Sequence, residues 1–156
     1  MDKIVVFELD NQQYGVDIQY VKSVEQLLEI TYIPQVASFI KGIIHLRGQA
    51  IPIIDLKEYF HQGKTTLMDQ TKILLVNIKN IQVGFLIDSA TEVLDLDKST
   101  IDTSIEGMEG LKQSFIKGVV KLEDNLLILL DLENILMTAE IDQLQKVTED
   151  TNEENI

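Results

Sequence analysis

The sequence contains no cysteine and no tryptophan, and it has few basic residues. Without cysteine, disulfide bonds, thiolate zinc sites and cysteine nucleophiles are excluded. Thirteen lysines and arginines stand against 26 acidic residues, which gives a formal net charge of −13. Because proteins bind nucleic acids and anionic membranes mainly through Lys and Arg, this balance argues against both kinds of partner.

Long hydrophobic runs are also absent. The N-terminal residues Met1-Asp2-Lys3 lead directly into a strand-like pattern, and apolar runs such as Leu126–Leu130 are far too short to span a bilayer. The sequence therefore predicts a cytoplasmic protein with no signal peptide and no direct membrane insertion. Residues 148–156 are acidic and nearly devoid of apolar side chains, so we expect them to be disordered.

A pattern of short apolar strands occurs twice along the chain. The run Ile4–Leu9 returns as Lys72–Ile78 at an offset of 69 residues, and Phe39–Gly42 returns as Phe115–Gly118 at an offset of 76. Each half carries about five short runs separated by turn signals, as is typical of an all-β fold of small barrels or strongly curled sheets. Apolar spacing after Asp131 predicts a C-terminal helix over about 132–147.

Groups typical of an active site are scarce. Asp55 and Asp131 end hydrophobic runs at equivalent positions, and two interpretations are open: each caps a helical turn, which we favour, or the two form a carboxylate pair for acid–base catalysis. His45 and His61 have no neighbours at metal-ligand spacing. We therefore expect no enzyme, no cofactor and no metal site.

Arg47 is the only arginine in the chain, and it stands between Leu46 and Gly48 at a predicted hairpin tip. It is equally well interpreted as a solvated turn residue or as a guanidinium presented to a carboxylate of a partner, where lysine would substitute poorly. The equivalent position in the second half is Glu123, so the duplication itself does not require arginine.

The central part of the chain carries a family signature. Residues 39–56 read Phe-Ile-Lys-Gly-Ile-Ile-His-Leu-Arg-Gly-Gln-Ala-Ile-Pro-Ile-Ile-Asp-Leu, and further matches lie at 14–18, 30–34, 83–88 and 115–118. These residues resemble the CheW-type coupling proteins that join chemotaxis receptors to their histidine kinase. His45 stands where the family usually has asparagine. The resemblance covers residues 4 to about 136.

The resemblance implies a fold and a role. The fold is a single CheW-like domain over 1–147, made of two five-stranded, SH3-like or OB-like β-barrels in tandem duplication. One barrel takes about 1–13 and 84–136, and the other about 14–83. The role is that of a non-enzymatic adaptor, a monomer in the absence of partners, which binds the C-terminal regulatory domain of the kinase CheA and the cytoplasmic tip of a receptor. Those partners would recruit it to membrane receptor arrays.

Candidate binding residues also follow from the resemblance. The receptor tip is expected in a groove between the barrels, and the kinase domain on the middle subdomain. The predicted receptor-binding residues are Val21, Val24, Leu27 and Ile30; the predicted kinase-binding residues are Pro34, Val36 and Ala37; the signature adds Arg47 and Gly48. The alternative that remains is a generic small-barrel protein that binds nucleic acid or oligosaccharide, against which the acidic composition counts.

Overall fold

The computed structural model describes residues 2–34, 37–60, 62–103 and 115–136, and nearly all of its regular structure is strand. None of the helices in these ranges is long and apolar enough to cross a membrane. The strands are β1 (Asp2–Leu9), β2 (Gln12–Asp17), β3 (Val21–Gln26), β4 (Ile40–Leu46), β5 (Gln49–Ile54), β6 (Lys72–Ile78), β7 (Ile81–Ile87), β8 (Ser89–Leu96), β9 (Ile116–Lys121) and β10 (Leu126–Leu130). The helices are α1 (Leu56–Tyr59) and α2 (Leu132–Leu136), with 3₁₀ turns at Ile18–Tyr20 and Lys98–Thr100.

The strands form two five-stranded sheets with equivalent order. The first sheet runs β8-β1-β2-β10-β9, and the second runs β3-β6-β7-β5-β4. If β1 to β5 are matched with β6 to β10, the two orders are the same. Each half of the chain keeps its first two strands in one sheet and sends its last three into the other: β3, β4 and β5 lie in the second sheet, and β8, β9 and β10 lie in the first. The predicted all-β fold and internal duplication are confirmed, and both sheets contain strands from both halves.

The chain passes from one sheet to the other at residues slightly later than the sequence predicted. β2 belongs wholly to the first sheet and ends at Asp17, and β7 belongs wholly to the second and ends at Ile87. The predicted boundaries near residues 13 and 83 would cut both strands. The physical reason is the tight hairpin that precedes each boundary. Asp10-Asn11 and Lys79-Asn80 have positive φ at both positions, as in type I′ turns, which keep the two flanking strands in one sheet.

Several sequence predictions concern residues outside the described ranges. The predicted C-terminal helix begins as expected, since α2 covers Leu132–Leu136, while 137–147 lie outside. The acidic tail 148–156, Val36 and His61 also lie outside.

Most strands are buried on both faces. In β1, Ile4 and Val6 contribute to a core formed by the first sheet alone, whereas Val5 and Phe7 face a larger core to which both sheets contribute. The second sheet has its own internal core, which includes Ile73 of β6. Because side chains alternate along a strand, burial on both faces requires nearly continuous apolar runs. This explains why the runs in the sequence show little polar alternation.

Each sheet curls until the segment after one edge strand reaches the opposite edge strand. After β3, Thr31 pairs with Ile43 of β4 through hydrogen bonds of 2.7 and 2.9 Å. After β8, Asp102 pairs with Val119 of β9 in the same way, at 2.9 and 2.8 Å. Gly42 lies beside the first of these bridges at a shift in strand register, as at a β-bulge. The curled sheets are compatible with the expected barrels.

Among the glycines in the described ranges, Gly42 is the one whose replacement should cost most. Its φ is +142°, and a Cβ atom there would collide with the carbonyl oxygen of Thr31. We expect Gly42→Ala to lower the free energy of unfolding by about 2–4 kcal/mol, measured by urea denaturation. Gly63→Ala is the matched control, because Gly63 also has a positive φ, of +101°, but open space around it. A loss of about 1 kcal/mol is expected for the control; equal losses would contradict the role assigned to the bridge.

Candidate functional site

The predicted receptor-binding residues lie on β3 and the segment that follows it, but only one is well exposed. Val24 is 42% exposed on the outer face of β3, between the exposed side chains of Lys22 and Gln26. Val21 packs against the core shared by the two sheets. Leu27 and Ile30 pack against the internal core of the second sheet. A partner can therefore contact Val24 directly, whereas Val21, Leu27 and Ile30 mainly pack against the cores beneath this segment.

Arg47 lies close to this strand. It forms the β4–β5 turn with Gly48, and both residues have positive φ, +50° and +79°. The Arg47 guanidinium donates a hydrogen bond to Glu25 Oε1 at 3.2 Å, and Glu25 directly follows Val24. The Arg47 side chain remains 71% exposed, which leaves N–H donors at the surface. Curling of the second sheet thus brings together one predicted receptor residue and the signature arginine.

Glu25 is the functional candidate that the sequence did not reveal. Its side chain is largely shielded, and it lies 22 residues from Arg47 in the chain. Local periodicity gives no indication of the contact, because it depends on how far the sheet curls. We refer to Val24, Glu25 and Arg47 together as the β3 patch. It combines an exposed apolar side chain with a charged pair at its edge.

The predicted kinase-binding residues that the structure describes differ in exposure. Pro34 is exposed, and Ala37 is partly buried against the shared core, where its carbonyl accepts a hydrogen bond from the Ile40 amide at 3.0 Å. Val36 lies outside the described residues. Tyr32, which the sequence interpretation overlooked, is 75% exposed two residues before Pro34. An exposed aromatic ring beside a proline is typical of a protein-binding surface.

The two aspartates that suggested catalysis act as helix caps. Asp55 is fully buried and accepts hydrogen bonds from the Lys57 amide at 3.2 Å and from the amide and hydroxyl of Thr65, both at 2.7 Å. Asp131 accepts from the Asn134 amide at 3.1 Å at the start of α2. Capping, the favoured interpretation, is confirmed for both. His45 is exposed on β4, and no group of three metal-ligating side chains occurs in the described part of the chain.

One charged cluster, away from the β3 patch, is formed by a buried lysine and two more exposed aspartates. Lys57 of α1 is only 6% exposed, and its ammonium lies 2.7 Å from Asp10 Oδ1 and 3.4 Å from Asp88 Oδ1. Burial by itself lowers the pKa of Lys57, but the hydrogen bonds and charges of Asp10 and Asp88 outweigh it, so the pKa is raised. Lys57 is therefore charged at neutral pH.

Comparison with known proteins gives consistent matches over nearly the whole chain. The family model described as "CheW-like domain" matches residues 3–140. The chemotaxis protein CheW of Bacillus subtilis (strain 168) is 31% identical over 135 residues, which cover 86% of each chain. The chemotaxis protein CheW of Klebsiella aerogenes is 32% identical over 139 residues, 89% of this chain and 84% of the relative.

A solved structure matches as well. The crystal structure of the scaffolding protein TtCheW from Thermoanaerobacter tengcongensis superposes with a TM-score of 0.80 at 34% identity. The superposition covers 89% of this chain and 90% of that one. The curled two-sheet arrangement is therefore the fold of that scaffolding protein.

The contact between Arg47 and Glu25 should contribute little to stability. Exposed ion pairs are screened by water, so a double-mutant cycle with Arg47→Ala and Glu25→Ala should give a coupling of about 0.2–1 kcal/mol in the free energy of unfolding. Urea denaturation of the two single variants and the double variant measures it. A coupling above about 2 kcal/mol would instead identify Arg47 as a structural anchor of the hairpin.

Proposed function

The chain belongs to the family of CheW-like domains, and from this premise we propose that it is a chemotaxis adaptor that couples chemoreceptors to the histidine kinase CheA. The observation that carries the proposal is the family match over residues 3–140, because it spans both sheets and the β3 patch. The relatives are named chemotaxis proteins, and the solved one is a scaffolding protein. An adaptor role requires binding surfaces and no chemistry of its own.

The placement of polar groups supports a non-enzymatic role. Asp55 and Asp131, the strongest candidates for catalysis, are used in capping. By contrast, Val24, Tyr32 and Arg47 are all well exposed, and Tyr and Arg are among the residue types that most often anchor protein–protein contacts. The exposure of these side chains, on surfaces of the second sheet and its loops, supports a role in binding other proteins.

The β3 patch is the proposed receptor-binding surface. A receptor tip made of helices would place an apolar side chain against Val24, in the mode by which amphipathic helices dock onto proteins. Arg47 then lies at the edge of the contact, where its free N–H donors would meet a carboxylate of the receptor. Glu25 holds the guanidinium in place from below. Val21, Leu27 and Ile30 belong to this proposal as the side chains on which β3 rests.

The loop before β4 is the proposed kinase-binding surface. Tyr32 and Pro34 are exposed there, while Ala37 packs inward and fixes the end of the loop. The resemblance to coupling proteins indicates the C-terminal regulatory domain of CheA as the partner. A contact of this size would be modest in area, which suits reversible assembly. The free protein would be a cytoplasmic monomer that its partners recruit to membrane receptor arrays.

The direct test of the adaptor role is simultaneous binding. Isothermal titration calorimetry should show that the purified protein binds the CheA regulatory domain and a receptor-tip fragment separately, and that a ternary complex forms from all three. Binding to only one partner would contradict the coupling function. If neither partner binds and the protein is retained on DNA or on oligosaccharide, the adaptor role is wrong and the alternative, a generic small-barrel binding protein, replaces it.

Val24→Lys should separate receptor binding from folding. Val24 is 42% exposed, so the lysine ammonium can remain in solvent. We therefore expect the free energy of unfolding to change by less than about 1 kcal/mol. Affinity for the receptor-tip fragment should fall by a factor of about 10 or more, because a desolvated anchor is lost, while kinase affinity stays unchanged.

Leu126→Lys is the matched control for this variant. Leu126 is 40% exposed, but it lies on β10 of the first sheet and should affect neither partner. Ile30→Lys is unsuitable, because Ile30 packs against the core of the second sheet and its replacement would destabilise the fold. Unchanged receptor affinity in Val24→Lys would remove Val24 from the proposed surface.

A further inference from the structure

The chain passes between the two sheets at two short crossovers in its described part. The first is the 3₁₀ turn Ile18–Tyr20, which carries the chain from β2 in the first sheet to β3 in the second. The second is the single residue Asp88, which carries it back from β7 to β8. Any change in the angle between the sheets must alter the backbone at these two places. Interactions that hold the crossovers therefore act on the angle, together with the packing of the shared core.

Each crossover is held by the helix of the other half. Glu133 of α2 accepts a hydrogen bond from the Tyr20 hydroxyl at 3.0 Å, across 113 residues of chain. Lys57 of α1 reaches Asp88. Lys57 and Glu133 occupy equivalent positions in the duplicated halves, at the offset of 76 that relates the sequence repeats. The fold thus places one polar contact at each crossover, a hydrogen bond from a hydroxyl to a carboxylate at the first and an ion pair at the second.

The Lys57 contact joins three segments at once. The ammonium binds Asp10, in the β1–β2 turn of the first sheet, as well as Asp88. The Asp10 amide donates to Asp88 Oδ2 at 2.8 Å, and the Asp88 amide donates to the Glu8 carbonyl at 2.9 Å. Since α1 follows β5 directly, Lys57 ties the second sheet to a hairpin of the first. The Lys57 side chain is shielded from solvent, while Asp10 is exposed and Asp88 is partly exposed, so the ammonium is held between two carboxylates at the edge of the interior.

We propose that Lys57 is a positioning residue that fixes the angle between the two sheets and, through it, the surface that a helical partner meets. A helix with its side chains is roughly 10–12 Å wide, whereas neighbouring strands lie about 4.8 Å apart. A helix docked on edge strand β3 therefore extends past that strand. Ile18, in the crossover that leads into β3, is also exposed, at 38%. A helix that contacts both β3 and this crossover would depend on the angle between the sheets that the crossover joins.

A change in the angle can be detected as a change in the distance between the sheets. The chain has no cysteine of its own, so spin labels attach only to introduced cysteines. Spin labels on Asn77→Cys in β6 and Lys121→Cys in β9, both at exposed positions, report the distance between the two sheets by pulsed electron paramagnetic resonance. We expect a single narrow distance distribution in the otherwise unchanged protein. Lys57→Met, which keeps most of the side-chain volume and removes the charge, should broaden or shift that distribution.

Lys41→Met is the matched control. Lys41 also forms a partly buried ion pair, with Glu58, but that pair joins β4 to α1 within the second sheet and its helix. Its loss should leave the distance between the sheets unchanged. Asp88→Asn serves as a second variant if Lys57→Met does not fold. It removes the negative charge of Asp88 and keeps one side-chain oxygen as an acceptor. A distribution unaltered in the folded variants would overturn the proposal.

Partner binding supplies the second measurement, and this arm rests on the proposed function. Lys57→Met should weaken binding of the receptor-tip fragment by a factor of about 5 or more and leave binding of the kinase domain unchanged. General destabilisation would weaken both, and equal losses would contradict a positioning role. If the unaltered protein binds no receptor fragment, the proposed function fails, while the distance measurement still decides whether Lys57 fixes the angle.

Discussion

The packing of the two sheets against each other is the constraint on which the rest of the structure depends. Both sheets contribute side chains to one large core, which includes Phe7 and Tyr14 from the first and Leu74 and Phe85 from the second. Full burial of each such side chain contributes roughly 1.5–3 kcal/mol, more than any single polar contact seen here. Because each sheet also encloses a core of its own, most strands have no face left for a partner.

This arrangement restricts binding to edge strands, turns and loops. β3 is an edge strand of the second sheet, and the Thr31 bridge that closes the sheet also fixes the start of the loop that carries Tyr32 and Pro34. The β4–β5 turn is free at its tip, so Arg47 can lie over β3. Both proposed surfaces are consequently made of short segments held by hydrogen bonds to a rigid scaffold. Such segments can be altered with little effect on the cores.

The features that could be predicted from the sequence are those that follow from local patterns. Continuous apolar runs with two-residue turns predicted the strands, and the repeated Phe-Ile-Lys-Gly block predicted the duplication. Asp55 was identified as a helix cap because capping depends only on the residues that follow it. Contacts set by curvature could not be predicted in this way. The ion pair between Arg47 and Glu25 requires the two edges of one sheet to meet, and a buried charge at Lys57 contradicts the usual exposure of lysine.

Divergence between the two halves explains why the proposed binding surfaces occur only once in a duplicated fold. A strict repeat would present equivalent surfaces twice, and a single kind of partner would then occupy both. Here the hairpin tip that carries Arg47 in one half carries Glu123 in the other, which reverses the charge at an equivalent place. The helix position that is Lys57 in one half is Glu133 in the other, so the two crossovers are held by different chemistry. Differences of this kind leave the apolar repeat, and hence the fold, intact, while the proposed surfaces of the first half have no equivalent in the second.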